Sequence, residues 1–388
     1  MPSGSYDYIP QERIVFGRPS AEAIAAEAAR LGKNRLFIVT ARSLNRKTPA
    51  IADLRAALGD LVVGLYDDCI AHTPRETVLD CADAVRAANA DLIVTIGGGT
   101  AIDMVKTVQI CIAEDVRTIE GMDAWHTRVN PDGTYVTPKT KPSTVRQIIV
   151  PTTLSGAEFS TIAGVTDLRK HFKDGFVGTN SAGQVIILDP AMTVHTPEWL
   201  WLSTGIRGFD HAVEGICSIK ANPFITGCCR QAIEMFRVNL PRTKADPNDL
   251  EARLACQQAT WIAGHGIDRA PYGASHGIGG VLGGMKEVPH GYTSCILLPH
   301  VLRYNKPVTE EAQRYVAAAF GKPEEDAADL VHDFIGSLGL PQTLRDVGVS
   351  RGDFDGIASR SVASMWVRTN PRPLPDVESV KAILEAAY

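Results

Sequence analysis

Asp91-Leu92-Ile93-Val94-Thr95-Ile96-Gly97-Gly98-Gly99-Thr100-Ala101-Ile102-Asp103-Met104-Val105-Lys106 reads as a buried strand that runs through three glycines into a helix. The apolar run is short and rich in β-branched residues, so it suits a strand covered on both faces. Glycines let a ligand approach the backbone closely, and the helix start offers N–H groups and positive potential. Gly97, Gly98, Gly99 and Thr100 are therefore candidate phosphate-binding residues. The spacing is not GxGxxG, and a glycine turn after a strand also occurs without a ligand.

Working outward, strand and helix alternate. Ala21 to Leu31 is predicted helical, Arg35 to Thr40 a strand, Ile51 to Leu58 a helix and Val62 to Tyr66 a strand. Pro74 to Ala88 is predicted as a helix, with Thr73 as its N-cap and Pro74 as its first residue. Ala101 to Ile112 is the next helix, followed by strands at Gln147 to Pro151 and Gln184 to Pro190. Such repeated βα units imply a parallel sheet with helices on its faces. Glu114 to Ser143, with Asn130-Pro131-Asp132-Gly133, has no clean period and is expected to be a surface excursion. Beyond Pro197 helical periodicity dominates, from Leu200 to about Tyr304 and again from Thr309 onward. The expected organisation is an α/β domain over 1–196 and an all-α domain over 197–388.

A length of 388 residues allows two domains with real cores. Apolar residues make up 45% and charged residues 21%, as in ordinary globular proteins. The net charge of −5 and pI near 6.1 argue against nucleic-acid binding. There is no run of about 18 apolar residues, so no membrane span is expected. The start Met1-Pro2-Ser3-Gly4-Ser5 shows no signal-peptide pattern. Eight scattered cysteines without CxxC spacing read as reduced core residues of a cytoplasmic protein.

A second loop, Pro151-Thr152-Thr153-Leu154-Ser155-Gly156-Ala157-Glu158, follows a strand and supplies three hydroxyls beside a glycine. Thr152, Thr153 and Ser155 could wrap a ribose or phosphate, or simply satisfy a solvated turn. Behind the strand ending at Thr40 come Ala41-Arg42-Ser43, Arg46 and Lys47. An acidic residue there would bind a ribose 2′-hydroxyl. None is present, and the basic groups, Arg42 first, favour a 2′-phosphate, hence NADPH over NADH. Among the histidines, His276 and His290 are flanked by small residues. His211 shares a helical face with Arg207, four residues before it. An acidic residue at 207 would complete a four-ligand divalent metal site with His211, His276 and His290. Arg207 has a permanent charge and no lone pair. His171, His195 and His300 read as ordinary satisfied residues.

With these motifs in order along nearly the whole chain, the sequence resembles the iron-containing alcohol dehydrogenase superfamily and, within it, the maleylacetate reductase-like branch. Ile14-Val15-Phe16-Gly17 resembles the family's opening strand, and His72-Thr73-Pro74 its second-strand loop. Gly97 through Asp103 and Lys106 resembles the family pattern GGGSxxDxxK, with Thr100 for Ser. Pro151 to Glu158 resembles the shorter loop of the reductases. Lys173, Leu188-Asp189-Pro190 and the block ending Leu297-Leu298-Pro299-His300-Val301-Leu302-Arg303-Tyr304-Asn305 fall at the family's spacing. The resemblance implies a dehydroquinate synthase-like fold with an active site in the cleft between its domains, a homodimer, and hydride transfer between NADH or NADPH and a carbonyl or alcohol. It also implies that Gly97–Thr100 and Asp103 hold the pyrophosphate. Thr73, Thr152, Thr153 and Ser155 would line the cofactor cleft, and Lys173 would lie near the nicotinamide ribose.

Three positions depart from the family. Its metal-binding Asp corresponds to Arg207, the histidine often found beside the nicotinamide corresponds to Gly280, and Ser275 stands where the reductases carry the first of a histidine pair. A cation about 4 Å from a metal dication costs several kcal/mol at moderate dielectric, which disfavours Fe or Zn if Arg207 points inward. The expectation is that Arg207, His276 and His290 stabilise the developing alkoxide, with His276, His290 or Tyr292 delivering the proton. Arg207 would also clamp a substrate carboxylate. The leading reading is a reductase of an oxoacid or ene-oxoacid of the kind met in aromatic-compound degradation. The rival is a metal-dependent alcohol or aldehyde dehydrogenase, with Arg207 turned outward to Asp210 or Glu214. A lyase on the same fold would need a filled metal site, and a non-enzymatic binding protein would leave the cofactor loops unexplained.

Overall fold

Strand residues that alternate between two apolar faces build the first half of the protein. The computed structural model describes residues 5–130, 134–170 and 172–388. Up to Thr153, and again over Ala157–His195, the chain forms one unit; Leu154–Gly156 and Thr196–Tyr388 form another. Leu154–Gly156, expected in the first domain, thus belong to the second.

The first unit opens with β1 (Arg13–Phe16), α1 (Ser20–Arg30), β2 (Leu36–Thr40), α2 (Arg42–Lys47), α3 (Ala50–Leu58) and β3 (Val62–Tyr66). It continues with α4 (Arg75–Ala87), β4 (Leu92–Gly97), α5 (Gly99–Ala113), α6 (Ile119–Met122), β5 (Arg128–Val129), β6 (Tyr135–Val136) and β7 (Arg146–Pro151). β8 (Ile162–Asp167), β9 (Phe172–Val177), β10 (Val185–Leu188) and α7 (Pro190–Thr193) complete it. Six strands form a parallel sheet in the order β1-β10-β7-β4-β2-β3. In β2, Leu36 and Ile38 enter one core with Ile24, Ile51 and Leu54, while Phe37 and Val39 enter the other with Val78 and Val105. Burial on both faces is why these strands carry unbroken apolar runs.

The strand order fixes where a ligand can sit. From β2 the chain moves outward to β3, then returns to the other side of β2 as β4 and proceeds through β7 to β10. The carboxyl ends of β2 and β4, paired up to Thr40 and Ile96, are therefore the point where connections diverge and leave a crevice.

Three expectations change. The fourth helix begins at Arg75, and Pro74 occupies the N-cap without a side-chain bond. Thr73 is not the cap: His72 and Thr73 both have positive φ, 64° and 52°. The Thr73 hydroxyl instead donates to the Thr100 carbonyl at 3.4 Å. Within the excursion from 114 to 143 the structure shows α6 and a small β5–β6 hairpin. Residues 131–133 of its turn signal and His171 lie outside the described residues. The antiparallel hairpin β8–β9 was not anticipated, because Ala163, Gly164, Thr166 and Asp167 dilute its pattern and it forms a small sheet of its own.

The second unit consists of α8 (Glu198–Cys217), α9 (Pro223–Ala245), α10 (Leu250–Gly264), α11 (Ala274–Lys286), α12 (His290–Ala319), α13 (Ala327–Ser337), α14 (Phe354–Ser361), α15 (Met365–Arg368) and α16 (Val377–Ala386). Among its described residues there is no strand. Ile278 and Leu282 of α11 pack with Ile296 and Leu297 of α12 and Ile357 of α14 in one apolar cluster, which fixes where the polar ends of α11 and α12 stand. No helix among the described residues is long and apolar enough to cross a membrane.

Ile38 is fully buried in the central sheet. Ile38→Ala is expected to cost about 2–5 kcal/mol through lost transfer energy and a cavity, read as a lowered denaturant midpoint for the unit that carries the sheet.

Candidate active site

In the first unit, the quoted stretch places its glycines at the carboxyl end of β4. Gly98 is the N-cap of α5, and no side chain caps the helix. The N–H groups of its first turn are the donors that an anion at this position would take. Gly98 has no room for a side chain: a methyl there would lie 2.8 Å from Cγ2 of Thr153. The Thr152 N–H donates to the Gly97 carbonyl at 2.9 Å, so β7 holds the turn from the other side. Thr73 reaches the same turn through Thr100, and Thr166 of β8 fixes the strained pair by donating to the carbonyls of His72 and Thr73 at 2.7 and 2.9 Å.

Asp103 has internal partners. Its carboxylate accepts from the Gly164 N–H at 3.1 Å and from Nζ of Lys106 at 3.2 Å, and Lys106 also donates to the Ile162 carbonyl at 2.8 Å. Asp103 thus ties α5 to β8, and as a carboxylate it has no donor to offer an anion. Lys173, exposed on β9, lies across Gly164, where any side chain would overlap its Cε. Thr152 and Thr153 belong to the first unit, whereas Ser155 belongs to the second.

The basic groups expected to meet a 2′-phosphate have acidic partners. Arg42 pairs with Asp68 at 2.5 Å, and Arg46 grips Asp67 with two bonds of 2.7 and 3.0 Å. No acidic residue follows β2 in sequence, but two follow β3, and the sheet sets them beside β2. Both arginines thus have an acidic partner in the folded protein while remaining largely exposed.

In the second unit, Arg207, Asp210, His211 and Glu214 fall at helical spacing along one side of α8 and are largely buried. Nη1 of Arg207 donates to Oγ of Ser294 on α12 at 3.0 Å and lies 3.9 Å from Oδ2 of Asp210. That same oxygen accepts from Ser294 at 2.7 Å and from Ser275 at 2.8 Å. Arg207 therefore points inward and still has Asp210 as its near carboxylate, a combination that the two sequence alternatives treated as exclusive. Glu214 sits over the start of α11 and accepts from the N–H groups of Ser275 and His276 at 3.0 and 3.3 Å. It stands where a side-chain cap is missing, since Gly273 is the N-cap.

Glu214 also meets Nδ1 of His276 at 2.6 Å. Burial drives the His276 pKa far down, with Arg207 adding to it, so His276 is neutral and donates its Nδ1 proton to Glu214. The lone pair is left on Nε2. Burial also depresses His211 and raises Asp210 and Glu214, the two carboxyls being opposed by His276 and by backbone N–H groups respectively. His211, Tyr272 and His276 stack, with ring centroids 4.2–5.2 Å apart. Oδ1 of Asp210, Nδ1 of His211, Oη of Tyr272 and Nε2 of His276 are buried without a hydrogen-bond partner. These four atoms on neighbouring side chains are polar groups whose bonding the protein itself does not complete.

His290 begins α12, one turn before Ser294 on the same face, and its ring rests against Gly283. Tyr292 is different: its ring contact is with Trp199, and it takes no hydrogen bond in the cluster.

The metal expectation can be tested against the donors. Among the described residues, the one trio whose ligand atoms lie within 4.8 Å of one another is Asp210, Glu214 and His276; the His211, His276 and His290 set does not gather in this way. Within the trio, the imidazole atom nearest the carboxylates is the Nδ1 already bonded to Glu214, and Asp210 Oδ2 is taken by two hydroxyls and faces a guanidinium. An ion there would need bonds of about 2.0–2.2 Å to each ligand in place of these contacts. In this structure those ligand atoms are engaged with one another and with the two hydroxyls.

The sequence pattern of iron-containing alcohol dehydrogenase covers residues 10–190, and that of the Fe-containing alcohol dehydrogenase family, C-terminal, covers 201–388. The chain belongs to the iron-containing alcohol dehydrogenase family. It is an oxidoreductase. It is 33% identical to the dehydrogenase FUM7 of Gibberella moniliformis, with 96% of each chain covered. It is 27% identical to the maleylacetate reductase of Sphingobium indicum, over 98% of this chain and 96% of that one. The crystal structure of maleylacetate reductase from Agrobacterium tumefaciens superposes with a TM-score of 0.83 at 26% identity, covering 100% and 99%. These likenesses put this family member in the maleylacetate reductase-like branch.

Sequence reading missed Asp67, Asp68, Tyr272 and Ser294 as site components, named Ser275 as a departure from the family pattern, and used Asp210 and Glu214 as possible partners for Arg207. The spacing of 207, 210, 211 and 214 was the available signal.

Glu214→Ala would leave a helix start and an imidazole N–H without their acceptor, each costing about 1–3 kcal/mol. The expected outcome is a lower melting temperature together with loss of the single His276 tautomer in nitrogen NMR; an unchanged imidazole signal would contradict the assignment.

Proposed function

We propose that this protein is a nicotinamide-dependent reductase of the maleylacetate reductase type, acting without a resident metal on an oxoacid or ene-oxoacid. The observation that carries the reading is the buried, inward-facing Arg207, tied through Ser294 to Asp210, at the position where the family keeps an acidic metal ligand.

The first turn of α5 and the Gly97–Thr100 turn would hold the pyrophosphate, with Thr73, Thr152 and Thr153 around it; their uncapped amides fit an anion. A bound reduced nicotinamide supplies hydride. The chain's own residues supply charge and proton control. Arg207 presents a fork of five donors, and Ser294 takes one at Nη1. The rest suit a substrate carboxylate or an alkoxide forming at the reduced carbon. Asp210 and the two serines hold the fork in place, so no reorganisation is needed when charge develops. His276, fixed by Glu214, handles the proton at Nε2, and His290 is a second candidate for that task. The free state of all eight cysteines supports a reducing, cytoplasmic setting. Family resemblance supports a homodimer and a place in aromatic-compound degradation.

The deciding experiment combines elemental analysis with oxidation of NADH and NADPH by maleylacetate before and after chelation. The expected result is no stoichiometric metal and turnover unaffected by the chelator. About one iron or zinc per chain, with activity lost on chelation, would overturn the reading in favour of a metal-dependent alcohol or aldehyde dehydrogenase. Arg207→Met should lower kcat/KM for the oxoacid by about 10²–10³, the usual cost of removing one charge-stabilising donor.

A further inference from the structure

We propose that Asp68 determines which nicotinamide nucleotide this enzyme uses, by engaging Arg42 and presenting a carboxylate where the adenosine ribose binds, so that NADH is preferred over NADPH. The proposal rests on the nicotinamide-dependent reading above.

The argument begins with topology. A pyrophosphate on the first turn of α5 lies at the carboxyl end of β4, and the crevice opens toward β2, its neighbour at the point where the connections diverge. The residue that follows β2 is Ala41, which offers the ribose nothing polar. Its backbone is bridged to Asp68, the second residue after β3. A residue distant in sequence thus occupies the rim that Ala41 leaves bare.

The charges on this rim are arranged in pairs. Nη2 of Arg42 lies 2.5 Å from Oδ1 of Asp68. Arg46 and Asn45 both bond Asp67, at 2.7–3.0 Å and 2.8 Å. A ribose 2′-hydroxyl can donate to a carboxylate. A 2′-phosphate cannot; it carries up to two negative charges, meets Asp67 and Asp68 as like charges, and must displace Asp68 to gain Arg42. Without Asp68, Arg42 is released to grip the phosphate.

The test compares dissociation constants and kcat/KM for NADH and NADPH in the wild type, Asp68→Asn, Arg42→Ala and the double variant. Asp68→Ser repeats the test if the asparagine variant fails to fold. The wild type should favour NADH. Asp68→Asn should move the NADPH-to-NADH ratio toward NADPH by about tenfold or more, the scale of one charge-assisted contact. Adding Arg42→Ala should cancel that gain. A wild type that prefers NADPH, or a ratio unmoved by the substitution while either nucleotide still binds, overturns this inference alone. Failure of both nucleotides to bind overturns the nicotinamide reading, and this inference with it.

Discussion

A single buried carboxylate, Asp210, organises the polar interior of the helical unit. Its Oδ2 joins hydroxyls from α11 and α12 and the guanidinium of Arg207 on its own helix. A lone carboxylate or guanidinium would not survive such burial, because each loses its hydration. Together they are tolerable, since every charge has an opposite charge or a donor beside it. The group is therefore interdependent: Arg207 needs Asp210 to be buried, and Asp210 needs Ser275 and Ser294 to be an acceptor in a dry place. One of those serines stands at a departure from the reductase pattern and another departure is Arg207 itself, so two of the three sequence differences meet at one oxygen atom.

The consequence for chemistry lies in what each kind of positive charge can do. A divalent ion concentrates charge at a point and polarises an oxygen it binds directly. A guanidinium spreads one charge over a planar fork and recognises shape as well as sign. Replacing an acidic ligand by arginine thus removes one negative charge and adds one positive charge. On the proposed reading, neutral alcohols lose their anchor and carboxylate-bearing carbonyl compounds gain one. Glu214 complements this by fixing the proton of His276 on Nδ1, away from the lone pair on Nε2.

How much of this was legible in the sequence depends on the range of the interaction. The sheet and its helices were readable because buried parallel strands and amphipathic helices leave local periodic signals, as in Leu92–Gly97 and Gly99–Ala113. The glycine turn was readable for the same reason. The hairpin β8–β9 was not, because its buried positions mix Ala163, Val165 and Phe176 with Asp167 and Asp174, and its other face mixes Ile162 and Val177 with Gly164, Thr166 and Gly175. Within the site, the Arg207 face of α8 was visible as a helical stripe. Ser275 and Ser294 were not, since a serine beside a carboxylate has no signature until the helices are packed.

The cofactor rim shows the same limit in its sharpest form. Arg42, Arg46 and Lys47 form a basic stretch, and a basic stretch read alone attracts phosphate. The two aspartates that pair with these arginines lie twenty or more positions further along and arrive only because β3 pairs with β2 and carries Asp67 and Asp68 to its end. In a parallel sheet the carboxyl ends of neighbouring strands always meet at one edge, so residues that follow adjacent strands are read together by a ligand. The charge that a nucleotide encounters is the sum across the edge rather than along the chain. On that sum Arg42 and Arg46 are paired, and on the proposal made above the carboxylate of Asp68 decides between a hydroxyl and a phosphate.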